Sequence, residues 1–260
     1  MSATPAHAVE SEERIPVRVL GGPTVLIEYG GLRFLTDPTF DDPGDYPSPS
    51  GRTLTKTAPP RTSAAELGPV DVVLLSHDQH ADNLDHSGRA LLAATPRTLT
   101  TPAAADRLGG TTEPLTPWQS LDLPRPDGGT VTVTAAPALH GPKGSESLVG
   151  EVTGFLLTSA DLPSVYVSGD NASLELVQEI ADRYAPVDTA VLFAGAPRMP
   201  VLDDALLVLD GEGTATAARL LAARRVIPAH CDSWAHFTET REDVVTAFKE
   251  AGLADRLQLD

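Results

Sequence analysis

Cysteine is almost missing from this sequence: Cys231 is the only one among 260 residues. An internal disulfide is therefore excluded, and the chain suits a reducing compartment. Positive charge is scarce as well. The 19 Lys and Arg face 36 Asp and Glu, a formal charge of −17. No basic cluster is visible, so nothing points to a nucleic-acid partner, whose phosphates would require one. The acidic surplus reads as solvated surface. No apolar run approaches the roughly 18 residues of a membrane helix, so no integral membrane segment is expected. The start, Met-Ser-Ala-Thr-Pro with Glu10, Glu12 and Glu13 behind it, lacks the basic and apolar regions of a signal peptide. A cytoplasmic protein is the expectation. Gly109-Gly110 and Gly128-Gly129 lack the strand-turn-helix context of a phosphate loop.

Residues 1–14 read as a disordered tail and 15–260 as one domain. Ile15 to Leu20, Thr24 to Glu28 and Leu32 to Leu35 are short strands separated by glycine turns, a meander. The third runs into Thr36-Asp37-Pro38, where Asp37 either caps a turn or orients a ligand. Residues 39–60, rich in Pro, Gly, Asp, Ser and Thr, read as a long loop without periodicity. Helices are expected at Ser87 to Ala93 and Pro102 to Leu108. Strands are expected at Arg97 to Leu99, Ser120 to Leu123, Thr130 to Ala136, Gly154 to Thr158 and Ser164 to Val167. In the second half Leu174, Val177, Ala181 and Tyr184 share a helical face. Strand Thr189 to Phe193, helix Ala215 to Ala223, strand Arg225 to Pro228 and a last helix ending before Gly252 follow. Two packed sheets with helices outside fit this order better than a doubly wound parallel sheet.

Chemistry concentrates after Val72 to Leu75, a four-residue apolar run. It delivers His77, Asp78, His80 and Asp82, with Asn83 and Asp85 close behind. A strand that carries imidazoles and carboxylates to one point can hold a divalent metal rigidly. Three later strands end in the same way: Val131 to Ala136 lead to His140, Val165 to Val167 to Asp170, and Val226 to Ala229 to His230. A lone histidine at a strand end is more often a hydrogen-bonded structural residue, and a lone Gly-Asp is usually a turn. The weight lies in the combination. Cys231 reads as core, since its side chain would oppose that of His230 on a strand. Trp234, His236 and Phe237 read as loop anchors or as walls of a substrate pocket. Lys143 and Arg198 read as solvated, or as holding an anionic substrate group. His86 reads as a helix start or surface residue.

These words resemble the motifs of the metallo-β-lactamase superfamily. Thr36-Asp37-Pro38 is similar to the first motif, Ser76 to Asp82 to the second and Ala136 to Gly141 to the third. Ser168-Gly169-Asp170 is similar to the fourth and Ile227 to His230 to the fifth. The flanking words are most similar to the branch with ascorbate-phosphate lactonase and the phospholipase D acting on N-acylated ethanolamine lipids. The resemblance implies an α+β fold, a four-layer αββα sandwich. It also implies a hydrolase in which a metal-activated hydroxide cleaves an ester, lactone, amide or phosphoester in a small molecule.

The second motif departs from the usual His-x-His-x-Asp-His. Two residues, Asp78 and Gln79, separate His77 from His80, and Asn83 replaces the last histidine. The Leu-Ser-His lead-in favours His77 as first ligand; anchoring on His80-Ala81-Asp82 would choose Asp78. By resemblance one metal sits on His77, His80 and His140. A second takes Asp82 and His230, with Asp170 bridging. Its remaining donor would be Asn83, a water or a carboxylate such as Asp85. A firm first site and a weak second one are expected, with zinc ahead of manganese or iron. Asp82 and Asp170 are the expected catalytic residues; Trp234, His236, Lys143 and Arg198 are the candidate substrate contacts. The alternatives are a catalytically altered binding protein and an iron-dependent redox enzyme. Oligomeric state stays open.

Overall fold

The computed structural model describes residues 14–47 and 53–259. Most of the expected tail lies outside the described residues. The chain runs β1 (Val17–Gly21), β2 (Thr24–Tyr29), β3 (Leu32–Thr36), β4 (Gly44–Pro47), β5 (Thr53–Lys56), α1 (Ala64–Leu67) and β6 (Val72–Leu74). Next come α2 (His86–Ala94), β7 (Thr98–Thr100), α3 (Pro102–Leu108), β8 (Thr112–Pro114), β9 (Ser120–Pro124) and β10 (Thr130–Pro137). Then follow α4 (Glu146–Val149), β11 (Thr153–Ser159), β12 (Leu162–Val167), α5 (Leu174–Tyr184) and β13 (Thr189–Phe193). The last part holds β14 (Arg198–Met199), β15 (Ala205–Leu206), α6 (Gly211–Leu220), β16 (Arg225–Ala229) and α7 (Arg241–Glu250).

Two six-stranded sheets result, ordered β1-β2-β3-β6-β7-β8 and β16-β13-β12-β11-β10-β9. Each is antiparallel on one side and parallel on the other. The parallel strands are short and joined largely through helices, and β6 and β13 are fully buried apolar runs.

Period-two alternation decides which layer each side chain enters. Val25, Ile27, Val72 and Leu74 meet Val133, Phe155, Val191 and Phe193 in a core between the sheets. The opposite face of the first sheet, Leu26, Leu35, Val73 and Leu75, buries Leu67 of α1 and Leu92 of α2. The opposite face of the second, Leu156, Tyr166, Ala190 and Val226, buries α5, α6 and α7. The architecture is therefore αββα, as expected.

Three local expectations need correction. Residues 39–60 are not structureless, because β4 and β5 form an antiparallel hairpin. Lys56, only 3% exposed, fixes its root: Nζ donates to the Thr39 carbonyl at 3.0 Å and to Asp85 Oδ2 at 3.2 Å. Helix α6 starts at Gly211, earlier than Ala215, because Asp210 caps it by accepting from Gly213 N at 2.8 Å. No strand was expected around Arg198, where the small β14–β15 hairpin forms.

Candidate metal centre

His77, His140, Asp170 and His230 all follow strand ends, as their sequence context requires, and all are buried. The first sheet contributes His77, His80 and Asp82 through the turn after β6. The second contributes His140 after β10, Asp170 after β12 and His230 after β16.

One ligand atom from each of His77, His80 and His140 lies within 4.8 Å of the others. The three rings crowd together with centroids 4.9–5.3 Å apart. His140 Nδ1 donates to the Leu207 carbonyl at 2.8 Å, which leaves Nε2 free to bind an ion. His77 Nδ1 is tied to Ser76 Oγ at 3.0 Å, and its Nε2 faces His80 Nδ1 at 2.9 Å. Asp37 accepts from Ser76 N at 2.7 Å and so fixes the backbone just before His77. It therefore orients a candidate ligand. Burial, reinforced by the Asp170 charge, raises its pKa well above the usual carboxylate value.

Electrostatics keep the first two rings neutral. Burial and the His80 ring hold His77 well below the ordinary imidazole range. Burial and His140 bring His80 down to about 4. Neutral imidazoles are the form that binds metal.

Beside the triad lies a second group. Asp170 Oδ2 is 3.8 Å from His140 Nε2, and its Oδ1 is 3.0 Å from His230 Nδ1. Asp82 Oδ2 is 3.3 Å from His230 Nε2 and 3.1 Å from His236 Nε2. Burial disfavours the His230 cation, but Asp170 and Asp82 outweigh it and push the ring up to about 10. Burial likewise opposes the carboxylate of Asp82, yet His236 and His230 hold it well below its usual value. Asp170 is also lowered, against burial, by His230 and then His140.

These close approaches are poorly aligned as hydrogen bonds. Both nitrogens of His230, Asp82 Oδ1, Asn83 Oδ1 and His236 Nδ1 are buried without a hydrogen-bond partner. Native interiors rarely strand such atoms. Donors that gather without pairing suit a shared cation, so the residues fit a divalent metal. His230 also adopts a left-handed backbone, φ 54°, a strained conformation for a residue with a Cβ. Its amide donates to the Gly22 carbonyl at 2.8 Å, so the β1–β2 turn holds the strained loop.

The remaining candidates separate. Asp78 does not reach the triad. Its carboxylate takes both Arg107 Nε and Nη2, with Nε at 3.0 and 3.1 Å from the two oxygens. Gln79 is accommodated against Gly150, where a Cβ would collide with its amide. Asp85 is also elsewhere: Oδ1 caps α2 at Gly88 N, while Oδ2 serves Lys56 and Asp41 N. Asn83 Nδ2 donates to Asp170 Oδ1 at 3.1 Å. His86 opens α2 and bonds Asp41. Cys231 is buried, and burial pushes its thiol up to about 12.

A cleft opens over the cluster, lined by His80, Asp82, His140, Asp170 and His236 with Leu54, Pro197, Arg198, Met199 and Leu207. Arg198 and His236 thus reach the cleft. Lys143 is exposed and Trp234 is buried, and neither belongs to its lining. Trp234 instead packs edge-on against Tyr46 and under Lys56. Leu54, Pro197, Met199 and Leu207 were not legible beforehand, because no motif surrounds them.

An αββα sandwich with histidines and aspartates gathered at one edge defines a class of metal-binding proteins. The family model for the beta-lactamase superfamily domain matches residues 32–231, and the chain belongs to that metallo-β-lactamase superfamily. An uncharacterized protein of Mycobacterium tuberculosis is 40% identical over 75 residues, 28% of this chain and 18% of its own. A UPF0173 metal-dependent hydrolase of Methanoculleus marisnigri is 33% identical over 125 residues, 45% of this chain and 51% of that one. The chain thus matches about half or less of these relatives' lengths. Among solved structures, an isothiocyanate hydrolase from Delia radicum gut bacteria shares the fold with a TM-score of 0.76. It is 20% identical and covers 93% of this chain and 94% of its own.

Proposed function

We propose that this protein is a metal-dependent hydrolase acting on a small, uncharged molecule with an electrophilic carbon, such as an ester, lactone or amide. The observation that carries the proposal is the His77–His80–His140 triad, with His77 and His140 buried, set against Asp82, Asp170 and His230 under one cleft. Zinc is the first choice of metal, because three imidazoles suit it and a harder ion would prefer more oxygen donors. Asp82 and Asp170 are the catalytic residues, and residues 15–260 act as one unit.

A divalent ion held here would supply a water acidified from a pKa of about 16 to about 7. The chain does the rest. Asp82 stays ionised between His230 and His236, so its carboxylate can take a proton from the attacking water and return it to the leaving group. Asp170 spans the two groups, one oxygen towards each. Leu54, Pro197, Met199 and Leu207 give the cleft apolar walls that seat a compact body and shed bulk water.

Charge selects against phosphoesters. Among the described residues Arg198 is the only lysine or arginine in the cleft lining, and its Nη1 already donates to the Asp204 carbonyl at 3.0 Å. A neutral carbon centre, as in the isothiocyanates named for the structural neighbour, fits these walls better than an anion.

The test is metal content by elemental analysis together with turnover of neutral esters, lactones, amides, isothiocyanates and phosphodiesters. Tight metal with turnover of a neutral substrate is expected. A folded protein that binds no metal and hydrolyses none of them would overturn the proposal.

A further inference from the structure

We propose that His236 supplies the imidazole that Asn83 does not. A second ion is then held by Asp82, Asp170, His230 and His236. The inference rests on the metallohydrolase reading and deepens it.

Of the donors that the sequence offered for this place, Asp85 is committed, shared among Gly88 N, Lys56 Nζ and Asp41 N. Asn83 holds Asp170 Oδ1 through Nδ2, which leaves only its buried, unpaired Oδ1 to face an ion. A neutral amide is in any case a poor ligand beside an imidazole. His236 arrives from another direction, on the loop that follows β16 and His230. Its Nε2 lies 3.1 Å from Asp82 Oδ2, and its Nδ1 is buried without a partner.

That ring is held rather than loose. It packs on Phe237 with centroids 4.6 Å apart, and Phe237 packs edge-on against His230 at 4.7 Å. Beyond it, Thr238 N and Glu239 N both donate to the Gly195 carbonyl, at 3.1 and 3.3 Å. A Cβ on Gly195 would collide with the His230 carbonyl and the Phe237 ring. The loop is thus fitted closely around the two imidazoles. Packing of this kind supports a ligand, which must be preorganised, more than a mobile substrate contact.

The experiment counts ions. Purified protein is loaded with Zn2+ or Co2+, freed of excess by gel filtration and analysed for metal per chain. About two ions are expected for the unaltered protein and about one for His236→Ala. The second-site affinity should fall by more than the roughly 10–100-fold that losing a mere hydrogen-bond partner of a ligand costs. Adding Asn83→His to His236→Ala should return the second ion, because the imidazole then comes from the family's usual position. With Co2+ the visible absorption should drop and recover in parallel. Circular dichroism and thermal unfolding confirm that each variant is folded.

Two ions retained by a folded His236→Ala protein would overturn the proposal. So would a single ion in the unaltered protein alongside turnover of a neutral ester, which leaves the metallohydrolase reading standing. A protein that takes up no ion defeats both.

Discussion

His77 and Asp78 adjoin in sequence, and the turn after β6 sends them in opposite directions. His77 joins His80 and His140, while Asp78 pairs with Arg107. Motif spacing left that choice open, because the decisive partner, Arg107, sits on α3 far along the chain. The two substitutions should therefore behave differently. His77→Ala should abolish tight metal binding, read by elemental analysis after dialysis. Asp78→Ala should keep the metal and cost about 1–2 kcal/mol in urea unfolding. That cost is below the 3–5 typical of a fully buried pair, because Arg107 is 43% exposed and can rehydrate. Acid should act through the same rings. His77 and His80 are depressed in the folded state, His80 to about 4, against an ordinary value near 6.5. The unfolded chain therefore binds more protons between those values. Their contribution to metal-free stability is present above about pH 6.5 and lost as pH falls towards 4. Chemical denaturation across that range should show the decline, and His80→Gln should flatten it. His230 works in reverse: held at about 10, it is a cation at pH 7, and ion binding must expel its proton. Calorimetry of metal binding in buffers of different ionisation enthalpy should report that release.

At the scale of elements, strands bounded by glycine turns or ending in donors were legible because burial and alternation write themselves into a short window. Thr189 to Phe193 is such a run, and it is β13. The start of α6 was not legible. Gly211, Glu212, Gly213 and Thr214 form a poor helical opening, and the turn is held from outside by Glu239, which accepts from Gly211 N at 2.6 Å. The β4–β5 hairpin was hidden for a similar reason. Its composition reads as loop, and it is secured by Lys56 reaching Asp85 beneath Trp234. His236 had no preceding strand to announce it; the one available clue was a histidine shortly after His230 in a chain short of a donor at Asn83. The hairpin's anchor can be weighed. Lys56→Ala leaves a buried carboxylate uncompensated and should cost about 3–5 kcal/mol in urea unfolding. Asp85→Ala in the same background should add much less than it does alone.

Across the whole molecule, the formal charge is −17, and among the described residues a single arginine lines the cleft. Anionic substrates should approach against that field. Turnover of a phosphodiester should therefore rise several-fold with added salt as screening shortens the field, while a neutral ester should barely respond. Because His80 and Asp82 hang from one sheet and His140, Asp170 and His230 from the other, a bound ion would also act as a rivet through the sandwich. Chelation should then loosen that rim before any other, with amide exchange quickening first in the turns beyond β6 and β16. The far rim, held by contacts within the chain such as Arg225 with Thr189 and the Ile15 carbonyl, should keep its protection until the molecule opens as a whole.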